Sequence, residues 1–241
     1  MKQHFKRDLA LQVEEAFGKY PVIALTGPRQ SGKTTLCKML RPGYTYVNLE
    51  DLSLREFAAT DPKGFLETYQ NGVILDEIQY VPTLFSYLQL YTDERQIPGE
   101  YLITGSQNFL MMERMSQSLA GRVAMFNLLP CSATELAQVV GAELPWESLL
   151  LGGGYPRKWM YDIEPADFFE NYVRTYVERD VRQVVNISDV SKFVKFIKLC
   201  AGRIGQLLNL SSLSNECGIS QPTANAWLSI LESSYIVYLL K

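Results

Sequence analysis

The sequence predicts an α/β fold: a parallel β-sheet with helices on both faces, followed by an all-helical segment and a partial winged helix. Three observations carry this reading. Short apolar runs alternate with helical patterns through residue 128. A glycine-rich turn, GPRQSGKTT, joins the first apolar run to the next helix. Beyond Pro130 the strand signals stop and four-residue apolar spacing takes over. Strands alternating with helices imply parallel pairing through crossover helices.

Phe5, Leu9, Val13 and Phe17 fall at four-residue steps, which predicts a helix over residues 3–18, ended by Gly18. Pro21 opens the apolar run Val22-Ile23-Ala24-Leu25, a buried strand. A helix follows the glycine-rich turn to about Met39 and stops at Arg41-Pro42-Gly43. A second strand covers about 44–48, and helical segments follow near 52–59 and 62–70. Val73-Ile74-Leu75-Asp76 is the third strand. Leu84, Leu88 and Tyr91 mark a helix, and Tyr101-Leu102-Ile103-Thr104 is the fourth strand. Residues 123–128 form a fifth. In the helical part, Phe168/Phe169, Tyr172/Val173, Tyr176/Val177, Val181 and Val184/Val185 share one face, with Arg174–Glu178 and Glu178–Arg182 at i,i+4. The boundaries fall at 130 and 188: an α/β core over 1–130, a helical segment over 131–188, and a helix-turn-helix over 189–241.

The chain has 241 residues, 47% hydrophobic and 20% charged, which supports a packed core. Its net charge of -3 argues against a strongly basic nucleic-acid binder. Charge is uneven, since residues 190–241 hold five basic residues against two acids. The four cysteines are scattered without a CxxC pair, which argues against a zinc or disulfide framework and fits a reducing cytosol. The single histidine, His4, lies near the N-terminus, which argues against histidine-based catalysis or a histidine metal site. No apolar run nears the roughly 18 residues of a spanning helix, and MKQHFKRDLA lacks the apolar core of a signal peptide. The expected location is cytoplasmic.

Gly27-Pro28-Arg29-Gln30-Ser31-Gly32-Lys33-Thr34 fits G-x-x-x-x-G-K-[ST], with Thr35 next. The glycines permit backbone angles that turn N–H groups toward an anion. The helix that starts at the loop aims its positive dipole end at the phosphates. Lys33 supplies charge to the β/γ phosphates, and the Thr34 hydroxyl is placed for Mg²⁺. A chance match in a strand-to-helix turn is the bland alternative, and the strand-loop-helix context argues against it. Downstream, Val73-Ile74-Leu75 ends in Asp76-Glu77. In such sites the first acid holds Mg²⁺ through water and the second orients the attacking water. Consecutive strand residues diverge, so the two carboxylates can serve different positions. ATP is the expected nucleotide.

These residues resemble the AAA+ ATPases. More narrowly, the chain is similar to a widespread group of uncharacterised prokaryotic ATPases that join an AAA+ core to a winged helix and a nuclease-like C-terminal domain. GPRQSGKTT, YVNLEDLSLR, VILDEIQYVP, LITGSQNFLM, SLAGRVAMFNLLPCSATEL, GGGYP and YVRTYVERDVRQV carry the resemblance. It implies that Ser106, with Gln107 beside it, occupies the sensor position that touches the γ-phosphate or attacking water. It implies that Arg122 senses phosphate, in its own subunit or a neighbour's, and so points to a homo-oligomer. A surface arginine paired with an acid is the other reading. Gly154-Tyr155-Pro156 resembles the element that sets a proline near the base, and is equally a flexible turn. The sequence stops at Lys241, inside what should be the winged helix, and the final domain is missing.

The helix-turn-helix reading uses Leu207/Leu208 to close one helix and Ser211, Ser212 or Asn215 to start the next. Leu213 and Cys217 face inward and Gly218 makes the turn. Ser220 caps a third helix that has Pro222 in its first turn and Trp227, Leu228 and Leu231 inside. Residues 235–240 would be the first wing strand. Gln221, Thr223, Asn225 and Ser229 are the candidates to reach DNA, yet the third helix has no Arg or Lys. Packing on the ATPase core or on a partner is the competing role. The function that results is a cytosolic ATPase coupling Mg-ATP hydrolysis to a conformational switch. The alternative is a nucleotide-gated DNA-binding or scaffold protein with incidental turnover. A small-molecule kinase is less well supported, since no acceptor pocket is readable.

Overall fold

The structure is a computed structural model and describes residues 5–105, 115, 117–141, 144–176 and 189–240. Five parallel strands form one sheet: β1 (Val22–Thr26), β2 (Thr45–Asn48), β3 (Val73–Asp76), β4 (Tyr101–Thr104) and β5 (Val123–Asn127). Their spatial order is β2-β3-β4-β1-β5. Val22 pairs with Tyr101 on one side and Val123 on the other, so β1 is central.

Five helices cover the two faces: α1 (Leu9–Phe17), α2 (Lys33–Leu40), α3 (Leu52–Thr60), α4 (Pro62–Thr68) and α5 (Leu84–Arg95). Strand alternation explains the two cores. Val22, Ala24, Val73, Leu75, Tyr101 and Ile103 pack with Phe65, Phe85 and Leu88 on one face. Ile23, Leu25, Ile74 and Leu102 pack with Val13, Phe17, Leu36 and Cys37 on the other. Strands buried on both faces read as continuous apolar runs, as these do. The caps also follow from the sequence. Asp51 caps α3 through Ser53 N and Leu54 N, and Asp61 caps α4 through Gly64 N with Pro62 at its first position.

Helix α1 begins at Leu9, not near residue 3. Phe5 shares the four-residue spacing but packs elsewhere, against Cys131 and Leu136. After β5 come α6 (Ala133–Val140), α7 (Trp146–Gly152) and α8 (Pro156–Met160). A capping box starts α6: Ser132 Oγ accepts from Glu135 N, and Glu135 Oε2 accepts from Ser132 N.

The chain divides into two compact units, residues 1–162 and 163–241. Helices α6 to α8 belong to the first. The second contains α9 (Pro165–Tyr176), α10 (Val190–Ala201), α11 (Leu210–Cys217) and α12 (Gln221–Ser233). Phe193 and Phe196 meet Trp227 edge-on at 5.1 and 5.6 Å. The turn between α11 and α12 uses Gly218 at φ 73°, and Ser220 caps α12. Leu207 and Leu208 close no helix, because α10 ends at Ala201 and both leucines are exposed. Asn209, rather than a serine, caps α11. Residues 236–240 form no strand among the described residues. Ile236 N and Val237 N both donate to Leu231 O, at 2.9 and 3.2 Å, which folds the chain back on α12. The ion pairs expected of Glu178 lie outside the described residues.

Candidate functional site

The glycine-rich loop leaves the C-terminal end of β1 and enters α2 directly. In an open parallel sheet that edge is where ligands bind. Gly27 has φ 141°, and a Cβ there would collide with the Leu128 carbonyl. Gly32 has φ 97° and precedes α2 without any side-chain cap. The first N–H groups of α2 therefore lack a side-chain partner and suit an anion. Gln30 also adopts a left-handed conformation, φ 60°. Gly27→Ala is expected to destabilise the fold by roughly 3 kcal/mol through clash and backbone strain, read as a shifted midpoint in urea unfolding.

Lys33 is buried, and its Nζ donates to the carbonyls of Gly27 at 2.9 Å and Pro28 at 2.8 Å. Burial holds its pKa below the ordinary value, against the attraction of Glu77 and Asp76. The Thr34 hydroxyl donates to Asp76 Oδ2 at 2.8 Å. Tyr46 OH donates to the same oxygen at 2.7 Å, and Thr104 Oγ1 donates to Oδ1. Three hydroxyls therefore orient a carboxylate that is nearly buried. Burial first, then this bond to Asp76, pushes the Tyr46 phenol well up. Burial and the Asp76 charge do the same to the Cys37 thiol.

Glu77 follows at φ 57°, ψ 46°, a left-handed conformation unusual for a glutamate. Its Oε2 accepts from Gln79 Nε2. Glu77 lines a cavity of about 460 Å³ together with Arg29, Gln30, Gly32, Lys33, Thr34 and Thr35. Pro156 lines it too, joined by Phe5, Arg7, Arg157, Met160 and Tyr161, so the lining combines apolar side chains with several cations. Gly27, Pro28 and Asp76 are not lining residues and act on the cavity through the contacts given above, and Ser31 is fully buried.

Ser106 and Gln107 lie outside the described residues. Arg122 is placed away from the cavity of its own chain. It immediately precedes β5, at the N-terminal end of the strands, whereas the loop leaves the opposite end of neighbouring β1. At about 3.3 Å per residue, the two are separated by on the order of 15 Å. Its guanidinium donates to Asp93 at 2.5 and 2.9 Å and to Ala120 O at 2.9 Å. The bond to Arg122 lowers the Asp93 carboxyl below its usual range.

Sequence reasoning missed Phe5, Arg7, Tyr46, Thr104 and Gln79 at this site. Only Gln79 and Thr104 carried a signal, by adjoining the ends of β3 and β4.

The topology decides the fold. The chain has a P-loop NTPase fold. Residues 19–137 match the AAA domain family. Residues 143–241 match a domain of unknown function. A Walker-type ATPase of Pyrococcus abyssi superposes with TM-score 0.65 at 16% identity, over 96% of this chain and 90% of that one. An uncharacterized protein of Mycobacterium tuberculosis is 28% identical over 96% of this chain and 52% of its own length. A Mycobacterium bovis protein matches equally. The chain spans about half the length of these curated relatives. Among the described residues no helix is long and apolar enough to cross a membrane, and no group of three or more His, Cys, Asp or Glu residues could hold a metal.

Proposed function

We propose that this AAA-type P-loop protein is an ATPase, which binds Mg-ATP in the cavity beside the phosphate loop and couples its hydrolysis to a conformational switch. The observation that supports it most is the convergence of Lys33, Thr34 and Glu77 on one cavity, with Asp76 bonded behind Thr34. The uncapped start of α2 and the Lys33 ammonium bind the phosphates. Arg29, at the same rim, adds a second cation.

The Thr34 hydroxyl and Asp76 carboxylate are hard oxygen donors bonded to each other at 2.8 Å, a donor set suited to Mg²⁺. One or two protein oxygens suffice, because Mg²⁺ keeps waters and takes phosphate oxygens, so a larger acidic cluster is not needed. When bound, the ion neutralises charge that develops on the phosphates. Thr34 and Asp76 would hold it, with Tyr46 and Thr104 fixing the carboxylate's orientation.

Glu77 accepts the proton of the attacking water and Ser106 senses the γ-phosphate. Phe5, Pro156 and Met160 supply apolar surface for the base. Arg122, remote from its own cavity, acts in a neighbouring copy, which makes the active form a homo-oligomer. Arg122→Ala should then leave ATP affinity unchanged while cutting turnover at least tenfold, and should remove any dependence of specific activity on protein concentration. Turnover that is unchanged by this substitution would assign the Arg122–Asp93 pair to structure alone.

The helix-turn-helix of the second unit fits a packing role better than phosphate contact. Lys195 Nζ donates to Glu216 O at 2.5 Å and Arg203 to the Glu216 carboxylate at 2.5 Å, and the outward residues Gln221, Asn225 and Ser229 are uncharged. Four free cysteines, three of them buried, accord with a reducing cytoplasm. The test of the reading is calorimetric titration with Mg-ATP followed by a phosphate-release assay. Absence of binding at millimolar ATP would overturn it.

A further inference from the structure

Arg7 precedes α1, yet its guanidinium reaches three separate parts of the first unit. NH1 donates to the Ser31 carbonyl in the phosphate loop at 2.7 Å. NH2 donates to Leu129 O at 2.5 Å, just beyond β5. Nε donates to Glu135 Oε2 at 3.0 Å, on the first turn of α6. Both side chains of that ion pair are buried, at 7% and 6% exposure. Glu135 is further held, accepting from Asp8 N at 2.7 Å and Ser132 N at 3.0 Å.

All three guanidinium nitrogens of Arg7 are thereby engaged with protein acceptors, so Arg7 is held as a brace. In a trans peptide the carbonyl and the following N–H point in opposite directions. Fixing Ser31 C=O against Arg7 thus fixes the direction of the Gly32 N–H, the donor that precedes Lys33. Gly32 sits between two neighbours: a Cβ placed on it would lie 3.7 Å from Arg7 NH1 and 3.9 Å from Pro156 Cγ. The region beyond β5 is tied to Pro156 as well, because Cys131 N donates to Gly154 O at 2.6 Å.

We propose that Arg7 is a positioning residue: it orients the phosphate loop for nucleotide and transmits occupancy of the loop, through Glu135, to the segment 129–136 that leads into α6. The inference rests on the phosphate-loop reading above. A planar fork meeting three acceptors suits the role better than a lysine point charge.

The test measures Mg-ATP and Mg-ADP affinity by calorimetry, kcat by phosphate release, and amide exchange across residues 27–35 and 129–136. The variants are Arg7→Lys and the double variant Arg7→Met with Glu135→Gln, which removes both charges and leaves no buried ion unpaired. In the wild type, saturating Mg-ADP should slow exchange in both segments. In the double variant, affinity for both nucleotides should fall at least tenfold, kcat at saturation should stay within about threefold, and added nucleotide should protect 27–35 but no longer 129–136. Arg7→Lys should recover part of the affinity and little of the coupled protection. If the double variant fails to fold, the Arg7→Lys result decides: wild-type affinity with wild-type protection of both segments overturns the inference. A folded double variant with unchanged affinity overturns it too. Wild-type protein that binds nucleotide while Lys33→Ala does not keeps the phosphate-loop reading intact in that event. Wild-type protein without any nucleotide binding overturns both.

Discussion

Lys33→Ala is expected to abolish nucleotide binding without loss of fold. The ammonium is buried at the loop and currently bonds to the Gly27 and Pro28 carbonyls. On phosphate it would form charge-assisted bonds in a partly desolvated site, worth on the order of several kcal/mol in total. Removing them should take affinity below detection in calorimetry, and wild-type affinity in the variant would refute the assignment of the loop. The same burial gives a second expected result. The folded-state pKa of Lys33 lies below the ordinary 10.5. Between that lowered value and 10.5 the unfolded chain binds more protons than the folded one. The stability of the nucleotide-free protein should therefore rise with pH through that window on account of Lys33. Lys33→Ala should remove this component, visible as a flatter melting temperature against pH at the alkaline end.

Glu77→Gln should leave ATP affinity within about threefold and cut turnover at least ~100-fold, the scale of a lost general base. The amide keeps the shape of the carboxylate, and its carbonyl oxygen can still accept from Gln79, as Glu77 does now. It cannot take a proton from water. The left-handed backbone at Glu77 should persist, since the 3₁₀ turn Ile78–Tyr80 that follows is anchored by buried Ile78. Phosphate release at the wild-type rate would show that another group activates the water. A variant that binds ATP, does not hydrolyse it, and still switches would favour gating by binding over coupling to turnover.

Much of the first unit could be read along the chain because its determinants are local. The phosphate loop needs two glycines, a lysine and a threonine at short spacing, and each matches a backbone angle or donor that the structure contains. The four residues of β4 and of β3 announced themselves because strands buried on both faces must be apolar throughout. Strand alternation predicts different positions for Asp76 and Glu77, but β3 ends at Asp76 and Glu77 takes a left-handed turn instead, which no residue type at that position would suggest.

What required the tertiary structure were relations between distant segments. Periodicity tells which face of an element is buried but not which neighbour covers it. Phe5 therefore looked like the first ridge of α1, although it packs on Cys131 and Leu136. Thr104 reaches Asp76 because β4 lies beside β3, and Arg122 is remote from its own cavity because a parallel neighbour enters at the edge where β1 begins. Strand order is set by how crossover helices pack, not by any single run of residues. Arg7 and Glu135 are 128 positions apart. Each by itself reads as an ordinary surface charge, and only the fold shows that together they brace the loop whose motif the sequence displays openly.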